Sequence, residues 1–208
     1  MPKADPARRR QIIDAAIGVF LRYGHARTTM ADVAQAVGIS RAALYLSFAD
    51  KDAIFSAVVT TMVADKLAAI RAGLVSRATL ADQLRFACDA WGAEGFELVR
   101  AHPDAKDMFD LGFASVCSSY DAFESLLADV IRGPLAGAPL DVAPAELARM
   151  MVYSIKGFKD VARSGADVRR MIGSLVTVVV AAVESPSTKT KEKSSHGQSR
   201  RAVPRRRR

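Results

Sequence analysis

Residues 28–48 read TTMADVAQAVGISRAALYLSF and hold the clearest structural signal in the chain. Thr29, followed three residues later by Asp32, is typical of a capped helix start. Gly38 permits a tight reversal of the backbone, and Ser40 is suited to cap a second helix. The segment therefore predicts two short helices that meet at a steep angle.

The second of these helices is predicted to have a buried side and an outward side. Leu44 and Phe48 lie four residues apart, so they share the face that anchors the helix from beneath. The side chains left on the outer face are those of Arg41, Ala42, Tyr45 and Leu46. A short helix that is held from behind and presented outward is what entry into a DNA major groove requires.

Helical periodicity extends through the rest of the chain. Apolar residues recur at steps of three and four, with almost no alternating strand pattern, so we expect an all-α fold. The predicted helices span about residues 6–23, 30–36, 41–47, 51–72, a segment marked by Leu80 and Trp91, a segment from Pro103 to Gly133, 145–163 and 167–184. Gly24 is expected to end the first of them.

Charge divides the chain into three parts. Residues 1–51 carry a net charge of +4, residues 52–184 carry −4, and residues 185–208 carry +8. We therefore expect a basic DNA-binding domain at 1–51 that extends into a connecting helix at 51–72. A helical body at 73–184 follows, and the tail at 185–208 is predicted to be disordered because it has almost no apolar residues.

The residues of the N-terminal segment resemble the TetR family of regulators. The resemblance covers about residues 7–65 and rests on spacing that is free of gaps. The residues that carry it are Phe20, Gly24, Thr28, Thr29, Val33, Ala34, Gly38, Ile39, Ser40, Leu44, Tyr45, Phe48 and Lys51. It implies a helix-turn-helix domain, a larger ligand-binding and dimerising body, and a palindromic operator in double-stranded DNA.

The same resemblance implies a set of DNA contacts. Thr29 and Tyr45 are similar to phosphate-binding residues of the family, and Lys51 is similar to a lysine that approaches the DNA backbone. The full set is Thr28, Thr29, Ser40, Arg41, Ala42, Ala43, Tyr45, Leu46 and Lys51. For Tyr45 the alternative is a purely packing role beside Leu44.

The base-reading positions depart from the common family pattern. Ala42 and Ala43 replace a frequent Gly-Thr pair, and Leu46 replaces a frequent histidine. Arg41 is then the strong candidate for a guanine edge, while the alanines and Leu46 are suited to thymine methyl groups. Contact between Arg41 and a phosphate alone is the alternative.

Aromatic and apolar residues of the body suggest a ligand cavity. The candidates are Trp91, Phe96, Met108, Phe109, Phe113, Tyr120, Phe123 and Tyr153. They predict a small apolar or aromatic inducer. The alternative is that most of them are ordinary core residues.

The last two helices are apolar on more than one side, which favours a homodimer. The residues predicted for the interface are Leu147, Met151, Ile155, Phe158, Ile172, Leu175, Val176 and Val179. The resemblance implies that these helices form a four-helix bundle with those of a second subunit. Burial within one subunit is the alternative.

Other candidate sites are weaker. Asp104, Asp107 and Asp110 follow Pro103 at steps of three, a pattern that fits a metal or acid-base site but is explained by helix capping and solubility. Cys88 and Cys117 are predicted to be core residues rather than redox or metal groups.

No enzymatic signature emerges from the chain. The three histidines are scattered, and there is no nucleophile elbow, phosphate-cradling glycine loop or metal-ligand spacing. We expect no catalytic activity, cofactor or metal. The competing functions are an architectural DNA binder without ligand control and an enzyme that carries a helix-turn-helix.

The termini predict the location and one further contact. The N-terminus lacks the apolar middle of a secretory signal, and Leu175–Val183 is too short to span a bilayer. We therefore expect a cytoplasmic protein with no membrane partner. The arginines and lysines of the tail are suited either to phosphate contacts or to a solubilising role.

Overall fold

The computed structural model describes residues 5–185, and the regular structure within that range is entirely helical. This confirms the all-α prediction. The helices are α1 (Pro6–Arg27), α2 (Met30–Val37), α3 (Arg41–Tyr45), α4 (Lys51–Leu74), α5 (Leu80–Cys88), α6 (Glu94–Ala101), α7 (Ala114–Leu135), α8 (Pro144–Val161) and α9 (Gly165–Val183). A π-helical segment, Asp89–Ala93, joins α5 to α6, and a 3₁₀ segment, Pro103–Phe109, follows α6.

The first three helices pack with the start of α4 around a small apolar core. Phe20 of α1, Leu44 of α3 and Ile54 of α4 are all fully buried. Asp5 accepts a hydrogen bond from the Ala7 N–H, so it caps α1 as its position before Pro6 predicts. This cluster holds α3 from behind.

Helix α4 connects this small domain to the body. It contacts α1 on one side and α5 and α7 on the other. In length and composition it is apolar enough to cross a membrane, the one such helix among residues 5–185. Phe55, Val58 and Ile70 lie buried in the core, so the apolar face of α4 is covered by its neighbours in the fold.

The predicted helix from Pro103 to Gly133 is in fact two elements. The chain turns at Asp110, whose carboxylate accepts the Gly112 N–H at 2.8 Å, and Phe113 is extended. This local hydrogen bond competes with helix propagation. Helix α7 starts only afterwards and continues past the predicted end at Gly133 to Leu135.

The residues predicted for the dimer interface require a correction. Met151, Ile155, Ile172, Val176 and Val179 are buried inside the single chain. The other three, Leu147, Phe158 and Leu175, are partly buried against the same core. The alternative therefore holds for these five, which cover the subunit's own interior, whereas an interface role for the three partly buried residues stays a prediction.

The predicted disordered tail begins at residue 185, and from residue 186 onward it lies outside the described residues. The two cysteines lie in different environments. Cys88 is buried as predicted, and desolvation raises the pKa of its thiol to about 12. Cys117 is exposed, contrary to the prediction, because its position on α7 turns away from the core.

Candidate nucleic-acid interface and ligand cavity

The turn between α2 and α3 forms as its sequence predicts. Gly38 has φ +76°, a left-handed conformation that favours glycine, and its N–H bonds the Gln35 carbonyl at 3.1 Å. The Ile39 N–H bonds the Ala34 carbonyl at 3.0 Å. Ser40 Oγ accepts the Ala43 N–H at 3.1 Å, which caps α3. These local bonds set the angle between the two helices.

Helix α3 presents one face outward. Leu44 and Phe48 are buried beneath it, whereas Tyr45 is 47% exposed and Leu46 is 83% exposed. Arg41 and Ala42 are exposed on the same outer side, and Ala43 is half-buried. The structure therefore brings together an accessible cation, a phenol and an apolar tip on a short rigid helix.

An arginine that the sequence reading missed supports the end of α3. Arg9 on α1 donates a hydrogen bond to the Ser47 carbonyl at 2.8 Å, and its guanidinium lies 3.9 Å from the centre of the Phe48 ring. Both contacts tie the start of α1 to the residues that directly follow α3. The run of arginines at positions 8–10 is the available signal, but by itself it indicates only positive charge.

Two residues of the predicted DNA-contact set have other partners. Thr28 is 2% exposed, and its hydroxyl donates to the Gly24 carbonyl at 2.6 Å. Lys51 Nζ donates to the His25 carbonyl at 2.7 Å, which ties the start of α4 to the end of α1. We therefore remove the buried Thr28 from the set. Lys51 is half-buried and its ammonium keeps further donors, so its contact with the DNA backbone stays a prediction.

Thr29 remains at the surface as the cap of α2. Its hydroxyl donates to the Asp32 carboxylate at 2.7 Å and accepts the Asp32 N–H, so the predicted capping box is present. The side-chain hydrogen bond from Thr29, and then its backbone bond, lower the pKa of Asp32 below its usual range. A phosphate that approaches Thr29 must compete with this carboxylate.

Comparison with known proteins agrees with this geometry. The sequence model of the family described as bacterial regulatory proteins, tetR family, matches residues 12–58. Residues 12–58 are a TetR-family helix-turn-helix domain. The HTH-type transcriptional repressor Rv1474c of Mycobacterium tuberculosis is 45% identical to this chain over 62 residues, which are 28% of this chain and 33% of the repressor. The chain thus matches about one third of that relative's length.

Solved structures share the fold beyond the TetR domain. A putative TetR-family transcriptional regulator from Rhodococcus sp. superposes with a TM-score of 0.66 at 21% identity, over 83% of this chain and 98% of that one. A putative transcriptional regulator from Saccharomonospora viridis in complex with choline gives a TM-score of 0.64 at 19% identity, over 83% and 97% of the two chains. The chain therefore has the two-part TetR-type architecture.

The body behind the TetR domain contains a cavity of about 300 Å³. Four predicted ligand residues line it: Trp91, Met108, Phe109 and Tyr120. Its other lining residues are Val59, Met62, Val63, Lys66, Ala90, Glu94, Gly95, Leu98, Val116, Ser119 and Lys159. The π-helical segment carries Trp91 to this wall, and such segments are frequent at functional sites.

The other four predicted ligand residues lie elsewhere. Phe96 lines an outer cleft next to the cavity. Phe123 is fully buried and stacks behind Trp91, with ring centres 4.5 Å apart. Phe113 packs against His25 and Phe55 between the TetR domain and the body. Tyr153 is 41% exposed beside Tyr120.

Lys159 and Tyr120 form the polar end of the cavity. Lys159 Nζ donates to the Tyr120 hydroxyl at 3.3 Å. Desolvation lowers the pKa of Lys159 to about 8 and raises the pKa of Tyr120 to about 12. At neutral pH the lysine is therefore mostly protonated and the tyrosine is neutral. The sequence reading missed Lys159 because a lysine on an amphipathic helix usually faces solvent.

The 3₁₀ segment holds the end of α1. Asp107 accepts the backbone N–H groups of His25 at 2.9 Å and Ala26 at 2.7 Å. Asp104 forms an ion pair with Arg27 at 2.6 Å. The sequence reading assigned these acidic residues to capping and solubility; the structure shows that they join the body to the TetR domain. Among residues 5–185 there is no cluster of side chains suited to a metal ion.

Gly24 makes this junction possible. It has φ +72° and ψ 173°, a region that is essentially restricted to glycine. A Cβ atom at Gly24 would lie 2.3 Å from the Asp104 carbonyl oxygen and 2.7 Å from an Asp107 carboxylate oxygen. The 3₁₀ segment therefore approaches α1 at a residue that has no side chain.

Proposed function

We propose that this protein is a transcriptional regulator that binds a palindromic operator as a dimer and releases it when a small molecule enters the body. The outward face of α3, with Tyr45 47% exposed above a fully buried Leu44, is the observation that carries the proposal. Only a helix presented in this way can enter a major groove. The match to tetR-family regulators at residues 12–58 supports the same reading.

Each exposed residue of the proposed interface has a distinct role. Arg41 reads a guanine edge, for which arginine has matching donors. Ala42, Ala43 and Leu46 contact thymine methyl groups. Tyr45 and the cap of α2 at Thr29 bind phosphates, which fixes the position of α3 on the duplex. The Ser40 hydroxyl caps α3, so Ser40 contributes to the orientation of these side chains.

Dimerisation uses the exposed stripes of α8 and α9 rather than their buried faces. Met150 is 59% exposed on α8, Val161 is 71% exposed near its end, and Val178 is 67% exposed on α9. Gly157 and Ser174 are small exposed residues on these stripes. Small residues beside apolar ones allow helices of two subunits to pack closely. A two-fold pairing places the two recognition helices about one DNA turn apart.

Ligand control follows from the position of the 3₁₀ segment. Met108 and Phe109 on this segment form a wall of the cavity. The preceding residue, Asp107, holds the end of α1. A ligand that displaces the wall pulls on α1, and α1 supports α3 through Arg9. Helix α4 also lines the cavity, through Val59. A tilt of α4 on ligand binding is therefore a second way in which the cavity affects the DNA-binding domain. Both shifts change the spacing of the paired recognition helices.

The proposal places the protein in the cytoplasm, with DNA, a small molecule and a second copy of the chain as its partners, and without catalytic activity. The competing function is an architectural DNA binder without ligand control. The largely apolar cavity favours the regulator, since a purely architectural protein has no need of one.

Mapping of chromosomal occupancy separates these functions. The regulator is expected at a small number of sites that share an inverted repeat. An Arg41→Ala variant with the same melting temperature should lose those sites selectively. Diffuse coverage that is insensitive to sequence and to Arg41→Ala would replace the proposal with the architectural alternative.

A further inference from the structure

We propose that the effector is an amphipathic organic acid, whose anionic group binds Lys159 and the Tyr120 hydroxyl while its apolar body fills the cavity. The inference rests on the proposed function, in which this cavity is the effector site. It adds the chemical class of the ligand and the residue that selects it.

The walls of the cavity fit an apolar body. Helix α4 contributes Val59, Met62 and Val63, and the opposite side is formed by Trp91 and Phe109. These side chains offer no charged group to a ligand. Covering them with an apolar ligand releases water and lowers the free energy. The volume of about 300 Å³ is at the lower end of the range for small-molecule sites, so the ligand is compact.

Lys159 supplies the charge that makes the site selective. Among the described residues no carboxylate lies within ion-pair distance of its ammonium, whose hydrogen-bond partner is the Tyr120 hydroxyl. Its neighbour on α8, Asp160, forms an ion pair with Lys156 at 3.3 Å. A partly desolvated cation without a counter-ion is unfavourable, and an anion placed beside it offsets that cost.

The other charged pair of the cavity does not favour a cation. Glu94 is the acidic lining residue, and its carboxylate lies 2.6 Å from Lys66 Nζ. The pair is therefore neutral as a unit. A positively charged ligand would have to break it and would also be repelled by Lys159.

The outer cleft beside Lys159 is lined by equal numbers of basic and acidic residues. The charged residues that line this cleft of about 840 Å³ are Arg100, Asp104, Lys106, Asp107, Asp110, Lys156, Lys159 and Asp160. Each of the four carboxylates has a partner. Asp104 pairs with Arg27 and Asp160 pairs with Lys156. Asp107 accepts N–H groups of α1, and Asp110 accepts the Gly112 N–H. Arg100 and Lys106 form no ion pair among the described residues, so besides Lys159 they are the cations of this cleft that are open to an anionic group.

The test compares acids with neutral molecules of the same shape. Decanoate and 1-decanol form one pair, and 2-naphthoate and 2-naphthylmethanol form another. Isothermal titration calorimetry on the full-length dimer should show at least one acid binding tenfold or more tightly than its alcohol. Equal affinities of acid and alcohol, or no binding by either acid, would overturn the proposal.

Variants locate the anionic group. Lys159→Gln should remove the preference for the acid, while Lys159→Arg should retain most of it. Arg163→Gln, at an exposed arginine just after α8 that lines neither the cavity nor the outer cleft, is the matched control and should leave the preference intact. If the acid still binds preferentially to a folded Lys159→Gln protein, the assignment to Lys159 is wrong.

The pH dependence of binding provides a readout that needs no variant. Since the pKa of Lys159 is lowered to about 8, the ammonium is present below that pH and is lost as the pH rises through it. Acid affinity should therefore fall about tenfold per pH unit above pH 8, and alcohol affinity should stay constant. A flat profile for the acid contradicts the proposal.

Operator binding in the absence of any acid separates this inference from the proposed function. A protein that binds an inverted repeat but shows no preference for acids retains its function and loses this ligand class. If the protein binds acids but no DNA duplex, the proposed regulatory function is wrong and the proposed ligand class of the cavity is retained.

Discussion

Asp107 in the body accepts a hydrogen bond from the backbone N–H of Ala26, 81 residues earlier in the sequence, at a distance of 2.7 Å. The same carboxylate also accepts the His25 N–H. One side chain therefore fixes the last turn of α1 to the segment that forms a wall of the cavity. Any displacement of that segment acts directly on the DNA-binding domain.

Asp107→Asn tests the strength of this junction. An amide offers a single oxygen and turns an NH₂ group toward a backbone donor, so a charge-assisted bond is lost. The free energy of unfolding should fall by about 1.5–3 kcal/mol. Denaturant titration measures it, with Asp104→Asn as the control; its exposed ion pair should be worth less than about 1 kcal/mol. Equal losses of unfolding free energy in both variants would show that Asp107 contributes no more than an exposed surface charge.

Gly24→Ala should be destabilising for two reasons that act together. The backbone conformation at Gly24 is one that alanine rarely adopts, at a cost of about 1–3 kcal/mol, and the new methyl group would overlap Asp104. Thermal unfolding checks this. The control is Gly18→Ala on the exposed face of α1, where no atom lies within 4 Å of the new Cβ and a gain of about 0.5–1 kcal/mol is expected. A neutral Gly24→Ala would show that the junction relaxes freely.

Arg41→Ala should weaken operator binding by about 1–3 kcal/mol and relax the preference at one base position. Fluorescence anisotropy with single-base operator variants measures both effects. Arg71→Ala, at the exposed end of α4, serves as the control and should leave binding unchanged. A uniform loss over all operator variants would mean that Arg41 contacts phosphate rather than a base.

Val178→Glu should break the dimer by placing a charge in the apolar stripe of α9. Light scattering is expected to report a monomer, and operator affinity should fall at least tenfold because one recognition helix no longer assists the other. Val75→Glu, also at a strongly exposed valine but after α4, should remain dimeric. A dimeric Val178→Glu would move the interface to another surface.

Local signals allowed much of the DNA-binding domain to be predicted. The caps at Thr29 and Ser40 and the turn at Gly38 depend on neighbours within four residues, so their sequence spacing is sufficient. The outward face of α3 follows once Leu44 is known to be buried.

Features formed by distant residues escaped prediction. The bond between Asp107 and α1 depends on how the 3₁₀ segment folds back, which no local pattern encodes. Lys159 has the spacing of a solvent-facing lysine, and only the packing of α7 against α8 places it beside Tyr120. The apolar residues of α8 and α9 indicated burial correctly but did not show whether Ile155 faces its own core or a partner.

The central claim is that two copies of α3 read one duplex. Selection of bound DNA from a random pool by the purified protein tests it most directly. An enriched inverted repeat is expected, with half-sites about one DNA turn apart. Recovery of unselected sequences, or no retention of duplex even at low salt, would contradict it.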